Sequence, residues 1–178
     1  MMDQIAEYSG QAMLDIAFED SRWEDFGLAA LAGPAVAATL AAVGLDAEEA
    51  EATLLACDDA RIAGLNAEFR DKPTPTNVLS WPAEERAAEA PGTVPALPAP
   101  DVFGTLELGD MAIAWETCAR EALEQGKPMA DHVTHLVVHA TLHLLGYDHV
   151  DDEDAALMEG REVAILATLG IADPYGTG

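Results

Sequence analysis

His139, His143 and His149 are the residues of this chain best suited to act together, in the run His139-Ala140-Thr141-Leu142-His143-Leu144-Leu145-Gly146-Tyr147-Asp148-His149. On a helix, residues four apart stand one turn above the other on the same face, so His139 and His143 would present two imidazoles side by side. Gly146 can take the left-handed conformation that ends a helix and turns the chain, and His149 follows three residues later. Three imidazoles that leave a fourth position for water form the ligand set of a catalytic zinc ion, whereas structural zinc sites are closed by four protein ligands. A lone histidine on an apolar helix face is ordinarily a core or capping group; three at this spacing around a glycine are not. His132 and His135 extend the stripe backwards, as buried supporting or capping groups.

The spacing H-x-x-x-H-x-x-G-x-x-H matches the metzincin peptidases, which carry a glutamate directly after the first histidine as general base. Ala140 takes that place here, so the cage is present without the peptidase base and points to another reaction. The fuller pattern H-x-x-L-H-L-x-G-Y-D-H resembles the signature of the YbeY family, which usually has glycine where this chain has Ala140. Two further stretches resemble the same family: Glu68-Phe69-Arg70 followed by Pro75-Thr76-Asn77-Val78-Leu79-Ser80, with Trp81 for the usual phenylalanine, and Leu108-Gly109-Asp110 before an apolar run. The resemblance runs from about Leu14 to Tyr175.

The resemblance implies a metal-dependent, single-strand-specific endoribonuclease of bacterial rRNA maturation and ribosome quality control. Arg70 stands at the family's functional arginine, and an arginine can bind a phosphate bidentately. Lys72 and Asn77 are expected to position the RNA backbone. The metal is expected to be one zinc ion per chain, or another divalent ion accepted by three imidazoles. The implied partners are rRNA and small-subunit components, with neither DNA nor membrane, and the strongly acidic composition suits a basic ribosomal protein better than naked RNA. Asp148 could orient a ligand, accept a proton or shape the turn at the helix end, and Asp110 could serve the site or cap the next element. The general base stays unassigned. The rival readings are a non-catalytic assembly factor whose metal only holds the fold, and a metallopeptidase-like hydrolase.

The elements that must position these residues follow from pattern. Residues 13–19 alternate in part and read as a strand. A helix is expected from near Pro34 to Val43, after a shorter helical piece and closed by Gly44. Residues 51–57 read as a second strand, and Asp58 caps a helix to about Phe69. The loop at 70–77 holds two prolines, Val78–Trp81 is a third strand, and 83–101 is a Pro- and Ala-rich mobile loop inside one domain spanning 1–178. Residues 103–113 form a fourth strand kinked at Gly109. Helices follow at 115–124, from an Asp131 cap to Leu145, and from Asp151 or Asp152 to Gly170, with a loose tail at 173–176. The expected class is α+β, a mixed four-stranded sheet packed with helices.

Of the 178 residues, half are apolar, which suits one ordinary core. No basic leader precedes an apolar run at the N-terminus, and no apolar run reaches spanning length, so the expected location is the cytoplasm. Cys57 and Cys118 form no C-x-x-C pair and read as buried free thiols. The formal net charge of −25 is at odds with a nucleic-acid binder. Its distribution relieves part of the conflict: residues 1–60 hold one basic residue against thirteen acidic, but 61–82 hold three (Arg61, Arg70, Lys72) against two. That window is the only stretch suited to a phosphate.

Overall fold

Alternation along the strands decides which way the sheet faces. A computed structural model of the chain describes residues 13–88 and 90–176. In β2 (Ala50–Cys57), Ala50, Ala52, Leu54 and Ala56 are buried on one face, while Glu51 and Thr53 point to solvent on the other. β1 (Met13–Phe18) and β4 (Leu106–Ala114) flank β2, both parallel to it, and β3 (Val78–Pro82) pairs antiparallel with β4. The order is β1-β2-β4-β3, a mixed four-stranded sheet as expected. A register shift between Glu51 and Ala52 passes over Leu108, beside Gly109 at φ 135°. A Cβ on Gly109 would stand 2.2 Å from the Trp81 carbonyl oxygen, so β3 can approach there only because the residue is glycine.

Helices α1 (Arg22–Phe26), α2 (Leu28–Ala42), α4 (Trp115–Gln125), α5 (Met129–Leu144) and α6 (Asp152–Thr168) complete the main core. α3 (Asp59–Arg70) lies on the opposite face, where Ile62 packs with Leu79, Ala112 and Ala114. Its start is fixed as the sequence suggests, the Asp58 carboxylate accepting the Arg61 N–H at 2.8 Å. Asp151 caps α6 in the same way. α5 is the central helix: Val133, Val137, Val138, Leu142 and Leu144 are almost fully buried, each worth about 1.5–3 kcal/mol. It packs against α2, α6 and β3. Trp23, Phe26 and Trp115 make three edge-on ring contacts beside it.

Four expectations need correction. α2 runs straight through Pro34 instead of starting there. The proline forfeits one backbone bond, but burial of Leu28, Ala32, Val36 and Leu40 along one stripe outweighs it. Asp131 lies in the first turn of α5 without capping it; the helix begins after Pro128, whose carbonyl accepts the His132 N–H. Asp110 lies within β4 on the outer face, hydrogen-bonded to the Thr53 hydroxyl, away from the histidines and capping nothing. The tail is docked, not loose: Lys127 Nζ donates to the Pro174 carbonyl at 3.2 Å, and the Tyr175 hydroxyl reaches α6.

Candidate metal centre and cleft

α5 carries His139 and His143 on the edge of its buried face, and the turn after it returns His149. Gly146 takes φ 102°, and the Tyr147 N–H bonds back to the Leu142 carbonyl, closing the helix end. One potential ligand nitrogen from each of the three rings lies within 4.8 Å of the others. His139 Nε2 and His143 Nε2 are 3.0 Å apart.

The hydrogen bonds behind the rings settle how those nitrogens face each other. The Tyr147 carbonyl can only accept, so His143 Nδ1, 2.9 Å away, carries the proton. His139 Nδ1 lies 3.0 Å from Glu162 Oε1 and donates to that carboxylate. Burial would push the Glu162 carboxyl up, but hydrogen bonds from His135 and His139 hold it down at about 2. With Nδ1 of each ring committed to an acceptor, Nε2 of both faces the same space. Two nitrogens 3.0 Å apart repel unless a proton or a metal cation lies between them. Burial, and then the neighbouring His139 and His149, push His143 down to about 4, so it stays neutral and ready to ligate. A tetrahedral zinc bound at about 2.0–2.1 Å to each nitrogen would separate its ligands by about 3.3 Å. The donor set fits a divalent ion of this kind.

Glu162 escaped the reading of the sequence. It is fully buried on α6, within the stripe Met158, Ile165 and Leu166, and also accepts from His135 Nε2 at 2.7 Å and from the Tyr175 hydroxyl. The available signal was a carboxylate in register with an apolar helical stripe. His132 turns the other way: its Nε2 meets Glu121 Oε1 at 2.9 Å, and Glu121 also accepts from Asn77 Nδ2.

The three histidines open onto a cleft of about 700 Å³. Arg70, Lys72 and Asn77 line it with them, as do Ala140, Arg86 and Asp148. Arg70 reaches in from the end of α3, one guanidinium nitrogen donating to the Ser80 carbonyl at 2.6 Å. The Asn77 side chain is engaged with the wall: its oxygen accepts the Val78 N–H, and its amide donates to Glu121 at 3.0 Å. Asp148 accepts the His149 N–H at 2.7 Å, which shapes the ligand turn. Arg61 lies elsewhere, paired with Glu19. Arg86 is a second residue that the sequence did not reveal. Its guanidinium donates to the carbonyls of Leu108, Leu144 and Glu107, pinning the start of the 83–101 loop to β4 and to the end of α5. Three of the chain's eight Lys and Arg residues line this cleft, against two of its 33 acidic ones, Glu85 and Asp148. An overwhelmingly acidic molecule has thus gathered positive charge beside its histidines.

Fold and site together define an α+β protein with a three-histidine centre at the end of a core helix, open to a locally cationic cleft. Residues 15–170 match the family model described as Endoribonuclease YbeY. The chain belongs to the YbeY family. It is 64% identical over 162 residues to the Endoribonuclease YbeY of Ruegeria pomeroyi, covering 91% of this chain and 97% of that one. It is 62% identical to that of Dinoroseobacter shibae, over 94% and 92% of the two chains. The solution structure of a Thermotoga maritima protein shares the fold, with a TM-score of 0.53 at 18% identity over 93% of this chain and all of the other.

Proposed function

We propose that this chain is a metal-activated endoribonuclease that hydrolyses phosphodiesters in single-stranded RNA during rRNA maturation and ribosome quality control. It acts as one domain in the cytoplasm, on rRNA within or beside the small subunit. The observation that carries the reading is the concentration of cations in the cleft onto which His139, His143 and His149 open. Ala140 lines that cleft where a peptidase would need its glutamate, which disfavours peptide cleavage.

In this proposal His139, His143 and His149 hold one zinc ion. Zinc bound there supplies Lewis acidity, polarising a phosphoryl oxygen or acidifying a water. Arg70, steadied by its bond to Ser80, offers its fork to a phosphate and neutralises the charge that grows in the transition state. Lys72 adds a second positive charge on the same wall. Asn77 holds the RNA backbone by exchanging its bond to Glu121 for one to substrate. A basic ribosomal protein suits the acidic exterior, and the cleft admits RNA locally.

The test is Arg70→Ala, assayed on a single-stranded RNA oligonucleotide. Cleavage should fall by about 10²–10³-fold, with zinc content and thermal unfolding unchanged. Cleavage within a few-fold of wild type would remove Arg70 from the chemistry and favour a non-catalytic assembly role.

A further inference from the structure

We propose that Glu162, held by Tyr175 of the C-terminal tail, is a positioning residue that fixes His139 in the tautomer that leaves Nε2, the nitrogen facing the site, free to ligate. The inference rests on the metal reading above and goes beyond its ligands. Glu162 has no solvent to share, and a buried carboxylate is tolerated only when its oxygens are well supplied with donors. It finds three. His135 Nε2 lies 2.7 Å and His139 Nδ1 3.0 Å from Oε1, and the Tyr175 hydroxyl lies 3.1 Å from Oε1 and 2.9 Å from Oε2. These donors come from two successive turns of α5 and from a residue 13 positions beyond Glu162.

The geometry makes this more than a staple between helices. Because the carboxylate accepts from Nδ1 of His139, the proton is kept off Nε2, the atom that faces His143. Without that acceptor His139 is free to carry its proton on Nε2, which would donate to His143 and close the site to a cation. Tyr175 keeps the carboxylate from rotating away, because its hydroxyl spans both oxygens. It also walls a cavity of about 130 Å³ behind His139 and His149. Lys127, bonded to the Pro174 carbonyl, and Asp173, which accepts the Tyr175 N–H, hold the tail in that position. The tail is thereby part of the metal centre although it contributes no ligand.

The experiment uses the full chain with Glu162→Gln and Tyr175→Phe. Zinc affinity is measured by competition with a chromogenic chelator, and imidazole tautomers of the metal-free protein by long-range ¹H–¹⁵N NMR. In Glu162→Gln, zinc affinity should fall by about 10–100-fold and His139 should lose its exclusive Nδ1–H form. Tyr175→Phe should weaken zinc several-fold, with the His135 and His139 signals shifted. A purely structural carboxylate would lower the unfolding temperature and leave tautomer and affinity alone. Wild-type affinity within twofold in both variants, with His139 still Nδ1–H, overturns the proposal. Should Glu162→Gln fail to fold, Tyr175→Phe decides by the same readouts. Zinc binding is read without RNA, so tight wild-type binding with unaffected variants sinks only this inference. A wild-type protein that binds no zinc sinks the metal reading itself.

Discussion

His143 has the least freedom of the three imidazoles. Its Nδ1 is committed to a backbone carbonyl that cannot donate, and burial keeps the ring neutral down to about pH 4. An unfolded histidine titrates near 6.5, so between pH 6.5 and 4 the unfolded chain binds the extra proton and the folded one does not. Glu162 acts in the same direction lower down: its carboxyl is held at about 2, so the stability it contributes in full above about pH 4.5 is lost as pH falls from there to about 2. The thermal midpoint of metal-free protein should therefore fall steadily from pH 7 to pH 4, as scanning calorimetry would record. A midpoint that is flat or rises over that range would mean that His143 is protonated in the folded state. At this scale the ligands were legible because i, i+4 spacing around a glycine is a local pattern. Glu162 and Arg86 were not, because their partners lie far off in sequence: His135 and Tyr175 for one, the carbonyls of Leu108 and Leu144 for the other. Nothing in a linear reading announces a carbonyl as a partner.

At the scale of elements, the turn after α5 does the most with the fewest residues. Gly146 ends the helix, returns His149, and lets the 83–101 loop press against it. A Cβ on Gly146 would stand 2.2 Å from the Arg86 carbonyl oxygen and 2.7 Å from its carbon, at a φ of 102° that L-residues rarely adopt. Backbone strain and overpacking together put the cost of Gly146→Ala at about 2–6 kcal/mol. Urea unfolding should show that loss together with weaker zinc uptake, and a change below about 0.5 kcal/mol would refute the close approach. Strand positions were readable from partial alternation in 13–19 and from the short apolar run Val78–Trp81. α2 was misread because a proline's local penalty was weighed without the tertiary burial that overrides it. The tail was misread because a Pro- and Gly-containing end looks unstructured until Tyr175 is seen to have a buried acceptor.

The whole molecule carries a net charge of −25 and still presents Arg70 and Lys72 in one cleft beside its histidines. Composition alone argued against nucleic acid; the sequence places Arg70 and Lys72 in one short window, and the fold sets them with Arg86 beside the histidines. Such an arrangement should bind RNA through few phosphate contacts. With two cations engaged, the slope of log K against log salt for single-stranded RNA should be shallow, roughly −1.4. Fluorescence anisotropy across a salt series would measure it, and a slope of −4 or steeper would demand a broader basic surface than the described residues present. The mixed sheet and its helices were foreseeable as a class, since strands interleaved with helices leave few layered solutions. The order β1-β2-β4-β3 was not, because β3 reverses direction at the edge for reasons that no local pattern carries.

All of this depends on one ion shared by His139, His143 and His149. Elemental analysis of the purified full chain beside His143→Ala tests it most directly. The account predicts about one equivalent of a divalent transition metal, zinc foremost, in the wild type and near-complete loss in a variant that still folds. A wild type free of such metal even after incubation with zinc, or a variant that keeps a full equivalent, would contradict it.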